Sequence, residues 1–290
     1  MHLVSSINFI YTYSCNCVCR HCCFDCSPNN HEKLSYEKVD GIIQQIKKFP
    51  FIKSISFSGG EIFLFLEELE ELIRKARLNK LQVVCNTNGF WGENAEHAEK
   101  IMKHLKRLGI SLLSLSYDRF HAEFIPFDAI CNIIRLSKRL GINTNIKGVI
   151  LRDDKGFFQL IDNVQNSVVE VPIIASCCMK YGRAKQEFTD EQFINEEILN
   201  TRCDSLGREL TIYPNGDVTP CRSPASFFNK IILGNINYNS LEEILFALSN
   251  NRCINKYMKY GFSTQNFPQE LNIQSLCDLC ATVLNGYFFK

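Results

Sequence analysis

Six cysteines fall between Tyr13 and Ser27, and three of them read Cys15-x-x-x-Cys19-x-x-Cys22. Thiolates in short, fixed spacings ligate iron–sulfur clusters, so this run can hold three corners of a 4Fe–4S cube. The fourth iron then has no protein ligand and stays open to a small molecule, as the open position of a catalytic metal site does.

The same segment permits a second register, Cys19-x-x-x-Cys23-x-x-Cys26. The first is preferred on two grounds. It starts where the first strand should end, at the carboxyl edge where parallel α/β folds place ligands. It also sets His21, a flat ring able to pack on an adenine, just before the third cysteine, where the second register offers the charged Asp25. Cys17, Cys23 and Cys26 then read as loop or core thiols. Zinc is the competing reading, but its ligands normally come as four Cys/His in paired spacings.

Composition narrows the class. The 290 residues are 46% hydrophobic and 22% charged, with a formal net charge of +1. That balance gives no long-range pull toward nucleic acid or an anionic membrane. No apolar run approaches the ~18 residues of a membrane span, and the N-terminus lacks the pattern of a signal peptide. Fifteen cysteines without an export signal point to metal chemistry in a reducing, cytoplasmic setting rather than to disulfides.

These residues need a scaffold. Candidate strands are Val4–Tyr13, Ile52–Phe57, Leu81–Asn86, Leu112–Tyr117, Asn145–Leu151 and Val169–Ala175. Helical patterns lie between them at Ser35–Phe49, Leu66–Leu78, Ala95–Leu108, Asp128–Leu140 and Phe157–Val164. Ser35 and Asp128 are the expected N-caps, with Gly109 and Gly141 as C-terminal glycines. Strand–helix alternation implies parallel strands with right-handed crossovers. Six units are too few for a closed eight-stranded barrel, so a partial barrel is expected over 1–186.

The composition turns polar in a connector at 187–202, and a smaller unit follows at 203–290. There Leu210–Tyr213 and Val218–Cys221 flank Pro214-Asn215-Gly216-Asp217, a strong hairpin signal. Ser240 and Glu243 have capping-box spacing ahead of a helix.

Polar groups follow successive strands: Ser58-Gly59-Gly60-Glu61, then Asn86-Thr87-Asn88-Gly89, then Ser116-Tyr117-Asp118. Paired glycines let backbone approach a ligand, and a carboxylate beside them can accept bonds from an ammonium. Each is an ordinary turn by itself, but all fall on one face of the sheet.

Cys15-x-x-x-Cys19-x-His21-Cys22, with Gly59-Gly60-Glu61 after the second strand, resembles the radical S-adenosylmethionine (SAM) superfamily, from Ile7 to about Arg183. The resemblance implies an α/β fold, a partial (β/α)6 barrel, and an open iron that chelates the cofactor's amino and carboxylate groups. It implies reductive cleavage to a 5′-deoxyadenosyl radical that takes hydrogen from substrate. By position, Gly59, Gly60 and Glu61 would hold the methionine moiety, Ser116 and Asp118 the ribose region, with Asn86 and Asn88 beside them. An external donor such as flavodoxin or ferredoxin would supply the electron.

Cys203 and Cys221, seventeen residues apart, and Cys277-x-x-Cys280 form a second group. It resembles the twitch domain, the short relative of SPASM domains, which implies one auxiliary 4Fe–4S cluster. A structural zinc held by the same four cysteines is the plainer alternative.

A closer resemblance, to epipeptide-type peptide epimerases, rests on Cys22-Cys23-Phe24, Asn88-Gly89-Phe90-Trp91-Gly92, Ser116-Tyr117-Asp118-Arg119-Phe120-His121 and Pro220-Cys221-x-Ser223-Pro224-Ala225. It implies a precursor peptide as substrate. In that family a second cysteine after the twitch cysteine returns a hydrogen atom; here position 222 is Arg222. Another thiol would be needed, with Cys23, Cys26, Cys177, Cys178 and Cys253 as candidates, or the radical is oxidised to a cross-link. Arg222 would then suit a substrate carboxylate. A small-molecule dehydrogenase and an electron-transfer scaffold are the other readings. Phe90 and Trp91 are expected in the cavity wall or the core, and His121 at the substrate or as a turn histidine. A leader would be recognised on the barrel, the twitch unit or a separate partner.

Overall fold

The computed structural model describes residues 4–157, 159, 162–163, 171–194, 203–261 and 275–284. Six strands, β1 (Ser6–Thr12), β2 (Ser54–Gly59), β3 (Gln82–Thr87), β4 (Leu112–Ser116), β5 (Thr144–Ile150) and β6 (Ile173–Cys177), pair in parallel and in chain order. Helices α1 (Tyr36–Ile46), α2 (Leu66–Leu78), α3 (Ala95–Leu108) and α4 (Phe127–Leu140) connect the first five. This is the α/β architecture expected of a partial barrel.

Helices α1 and α3 each bury one stripe. Val39, Ile42, Ile43 and Ile46 of α1, and Ala98, Ile101, Met102 and Leu105 of α3, follow the i, i+3, i+4, i+7 pattern of a single buried face. Ser35 caps α1 by accepting from the Lys38 N–H, and Gly109 and Gly141 end α3 and α4 in the left-handed region. The expected cap at Asp128 is corrected: Pro126, with φ −60° and ψ 140°, sets the entry, and Asp128 lies in the first turn of α4. A fixed proline φ makes the turn there, and the carboxylate instead faces the positive helix end.

The last strand is displaced from its expected span, running to Cys177; residues 169 and 170 lie outside the described set, as do half of 157–164 and positions 195–202 of the connector.

Beyond a short turn of helix, α5 (Ala184–Glu187), the chain returns to the sheet. The hairpin forms as β7 (Glu209–Ile212) and β8 (Asp217–Thr219), and β9 (Gly234–Asn235) pairs with β8. β7 also pairs in parallel with β1, Ser6 opposite Glu209 and Phe9 opposite Ile212. The order is therefore β6-β5-β4-β3-β2-β1-β7-β8-β9, and the hairpin completes the free edge of β1 instead of standing apart from the barrel. Helices α6 (Pro224–Phe228), α7 (Leu241–Asn250), α8 (Arg252–Tyr260) and α9 (Leu276–Leu284) complete this unit. The Ser240–Glu243 capping box at α7 is present as expected. Among the described residues no helix is long and apolar enough to cross a membrane.

Candidate active site

The loop after β1 folds back on itself through Tyr13 N–H to Glu32 O (2.9 Å), Cys15 N–H to Ser27 O (3.1 Å) and Ser27 N–H to Tyr13 O (3.2 Å). That fold turns all six cysteines of the run toward one cavity of about 370 Å3 at the carboxyl ends of the strands. Both registers therefore reach it. The thiols differ in protonation: a hydrogen bond from Cys26 lowers Cys22, whereas burial holds Cys23 well above its ordinary value. Cys26, donating to Cys22, and Cys15, donating to Cys17, are also raised.

Gly59 and Gly60 bring β2 under this loop. A Cβ on Gly59, whose φ is 139°, would stand 2.4 Å from Thr12 O, and one on Gly60 would stand 2.0 Å from Ser14 O. The close approach allows Gly60 N–H to Thr12 O (2.7 Å) and Glu61 N–H to Ser14 O (2.8 Å). Both glycines line the cavity.

Glu61 departs from its expected ammonium contact. Its buried carboxylate accepts from Phe63 N–H (3.0 Å), Thr87 Oγ1 (2.9 Å) and Asn88 N–H (2.7 Å), and it lies outside the cavity lining. A carboxylate so engaged ties turns together, which spacing alone does not reveal.

Asn86, Asn88, Ser116 and Asp118 do line the cavity. Asn88 Nδ2 donates to Asn16 Oδ1 at 2.8 Å and approaches Cys17 Sγ at 3.4 Å. Asp118, fully buried, accepts on Oδ1 from Phe120 N–H, His121 N–H and His121 Nδ1, and on Oδ2 from Val149 N–H. Oδ2 keeps one lone pair for a further donor such as a hydroxyl. The His21 ring packs 5.0 Å from Phe120 and 4.9 Å from His121; burial draws it down to about 4, so it is neutral.

His21 Nδ1 and Asn8 Nδ2 are buried without partners, and both residues line the cavity. Buried donors and acceptors normally find partners, so a polar ligand fits this space.

Lys147 is the residue that sequence reasoning missed. It stands on β5 opposite Ser116, lines the cavity and reaches Asn86 Oδ1 at 3.4 Å. Burial, then Arg222, lowers its pKa. The available signal was a lysine inside an otherwise uncharged strand. Arg222 also lines the cavity, but its Nε donates to Glu209 Oε1 at 2.8 Å and its Nη2 to Ser56 Oγ at 3.4 Å.

Of the candidate hydrogen donors, Cys23, Cys26 and Cys177 line the cavity; Cys178 is buried and Cys253 lies on α8, and neither is in the lining. Phe90 and Trp91 are absent from the lining as well; Trp91 is core, stacked on Phe63 at 5.1 Å.

Cys203 before β7, Cys221 after β8, and Cys277 and Cys280 on α9 come together. Burial pushes Cys221 up to about 11, helped by Cys277 and Cys203, and Cys280 is raised by burial and the other three. A single zinc at ~2.3 Å from each sulfur would hold them ~3.8 Å apart. Among the described residues no cysteine trio has all its sulfurs within 4.8 Å of one another; only His21, Asp118 and His121 group so tightly.

Residues 9–155 match the radical SAM superfamily, and residues 203–281 match SPASM, an iron–sulfur cluster-binding domain. The peptide biosynthesis protein YydG of Bacillus subtilis (strain 168) is 27% identical over 287 residues, covering 94% of this chain and 89% of its own. The structure of anSMEcpe with bound AdoMet and Kp18Cys peptide superposes with a TM-score of 0.60 at 16% identity, over 97% of this chain and 95% of that one. BtrN in complex with AdoMet and 2-DOIA gives 0.54 at 18% identity, over 89% and 88%. At such identities the structural likeness establishes the fold. The first domain binds SAM with a 4Fe–4S cluster and the second binds auxiliary iron–sulfur clusters, which accords with the two cysteine groups of this chain. The superfamily match spans slightly over half of the 290 residues, and this chain belongs to the radical SAM enzymes, with a SPASM-type domain at its C-terminal end.

Proposed function

We propose that this enzyme removes a hydrogen atom from a residue of a ribosomally made precursor peptide and inverts its Cα centre. The likeness over 94% of the chain to a protein named for peptide biosynthesis supports the peptide substrate, and the thiols in the cavity lining support inversion over a cross-link such as a thioether. We place the SAM-binding cluster on Cys15, Cys19 and Cys22, and one auxiliary cluster on Cys203, Cys221, Cys277 and Cys280. When bound, the first cluster and SAM supply a carbon-centred radical that takes the substrate hydrogen.

The chain's own residues shape the rest. The polar wall of Asn8, Ser58 and Asn86 suits a peptide backbone. Arg222 is engaged by Glu209 and carries no transferable hydrogen atom; of the cavity-lining candidate thiols Cys23, Cys26 and Cys177, we assign the returning hydrogen to Cys177 on β6, which lies outside the loop that carries the cluster cysteines. Its S–H bond breaks as the new Cα–H bond forms; one electron from an external donor of the flavodoxin or ferredoxin class and one proton from solvent restore the thiol. Such an economy fits a reducing cytoplasm.

The test is turnover of the reconstituted enzyme with precursor peptide in D2O. Deuterium at one Cα, with no other mass change, is the expected result. Loss of two hydrogens would replace inversion by cross-linking. Turnover of a polyol without peptide would favour a small-molecule dehydrogenase, the second reading, which the fold likeness to BtrN bound to 2-DOIA keeps open.

A further inference from the structure

The loop that carries the first cysteine group is gripped by a segment far along the chain. After β6 the backbone leaves the sheet with Cys178 N–H bonded to Ile150 O (2.8 Å) and then runs against that loop. Gly182, with φ 55°, lies so close that a Cβ there would stand 2.4 Å from Cys23 O. The next residue, Arg183, donates its backbone N–H to Cys22 O at 3.0 Å. Its guanidinium spans the loop, Nη1 donating to Cys19 O at 2.8 Å and Nη2 to Cys26 O at 3.0 Å. Three carbonyls of the cysteine run therefore end on one residue that is itself outside the cavity lining.

Loop shape alone does not call for a cation. Carbonyls accept equally well from a neutral amide, and a full charge is expensive here: the Arg183 side chain is only 14% exposed, and buried charges are normally paired. Among the described residues the carboxylate within 4.0 Å of it is that of Asp25, which stands 3.6 Å from Nε and is half exposed. That distance is too long for a hydrogen bond, so Asp25 offsets the guanidinium only in part. The rest of the positive field falls on the loop whose carbonyls it binds, in an interior that screens charge weakly. Thiolates that hold iron make that loop anionic, and an added electron makes it more so. Net charge is one of the quantities that set a cluster's potential.

We propose that Arg183 is a positioning residue with two effects: its backbone N–H and fork fix the carbonyls of Cys19, Cys22 and Cys26, and its charge raises the reduction potential of the N-terminal cluster. Arginine suits both tasks, because a rigid plane of N–H donors reaches two carbonyls at once and the guanidinium keeps its proton. Lysine would retain the charge as a single point and bridge the loop less well. The step served is one-electron reduction by an external donor of the flavodoxin or ferredoxin class, in which no bond forms or breaks. This assignment rests on placing the SAM-binding cluster on Cys15, Cys19 and Cys22, and it is independent of the substrate.

The experiment is a redox titration of the reconstituted protein without peptide, read by paramagnetic resonance. The N-terminal cluster is the one whose signal shifts on adding SAM, and iron content is measured beside it. Arg183→Gln removes the charge and keeps an amide donor. At the wild-type midpoint its reduced-to-oxidised ratio should fall about tenfold, a shift of about 59 mV for one electron. Arg183→Lys restores the charge without the fork and should recover most of that loss. Equal midpoints in wild type and Arg183→Gln at equal iron content would overturn the proposal. Gln and Lys variants shifted alike would overturn it too, because the effect would then belong to loop shape. Should Arg183→Gln fail to hold iron, Arg183→Lys decides: a midpoint near wild type supports the proposal, whereas a midpoint lowered about tenfold, or a second loss of iron, rejects the electronic role. A SAM-shifted signal that persists in Cys15→Ser would instead overturn the cluster placement, so the two failures register separately.

Discussion

Glu61 and Asn88 are joined by a 2.7 Å hydrogen bond from the Asn88 N–H to Glu61 Oε2, which locks the turn after β2 to the turn after β3. Removing the carboxylate strands the Phe63 and Asn88 N–H groups in a buried site. Glu61→Ala should cost about 1–3 kcal/mol in denaturant unfolding, the penalty for buried polar groups left unpaired.

The same carboxylate sets a pH dependence. Burial pushes Glu61 from 4.5 up to about 7, against the hydrogen bonds that lower it. The folded state thus holds this proton more tightly than the unfolded one. Its contribution is complete below 4.5 and is lost as pH rises toward 7, up to about 3 kcal/mol. Glu61→Gln cannot titrate, so its stability profile should be flatter across that window. Equal slopes in the two proteins would show that Glu61 is already ionised throughout.

The cluster assignment makes a prediction for iron. Two cubes require about eight irons per chain, and Cys280→Ser should leave about four while the N-terminal cluster persists. Cys15→Ser should give the complementary loss. Fewer than about five irons in the fully reconstituted wild type would leave room for only one cube.

The fold was legible wherever local chemistry and tertiary packing agreed. The α2 and α3 spans follow directly from their apolar stripes, and the five strands before β6 fall within two residues of their expected starts. The cysteine run announced itself because few other structures need thiols so close together. Two features were hidden. The parallel pairing of β7 with β1 joins residues about two hundred positions apart, and no periodicity encodes it. Glu61 carries the chemistry of a ligand contact, yet its three partners are fixed only when β2 and β3 lie side by side. Lys147 escaped notice because the inward face of β5 shows only once the barrel curls.

Lys147 leads to a prediction in which stability and binding part company. Its ammonium is half-buried, and both desolvation and Arg222 disfavour its charge. Replacing it with Met removes that penalty. Lys147→Met should be as stable as wild type, or more stable by up to about 1 kcal/mol, while it weakens binding of an anionic group in the cavity. Equilibrium dialysis against SAM and against precursor peptide, measured separately, identifies which carboxylate it meets. Undiminished affinity for both would remove Lys147 from the binding wall.

Cys177 provides the sharpest test of the inversion chemistry. Hydrogen abstraction does not need this thiol, but return of hydrogen does. Cys177→Ala should therefore keep releasing 5′-deoxyadenosine in the presence of peptide, while deuterium incorporation at Cα falls by about tenfold or more, the pattern of a variant that loses one step and retains another. Cys178→Ala is the control. Its thiol is buried outside the cavity lining and is held protonated mainly by burial, with a pKa pushed up to about 12. That variant should invert the peptide normally. If Cys177→Ala inverts as wild type does and one of Cys23→Ala or Cys26→Ala fails instead, the donor lies in the cysteine loop, and hydrogen returns from the β1 side of the cavity.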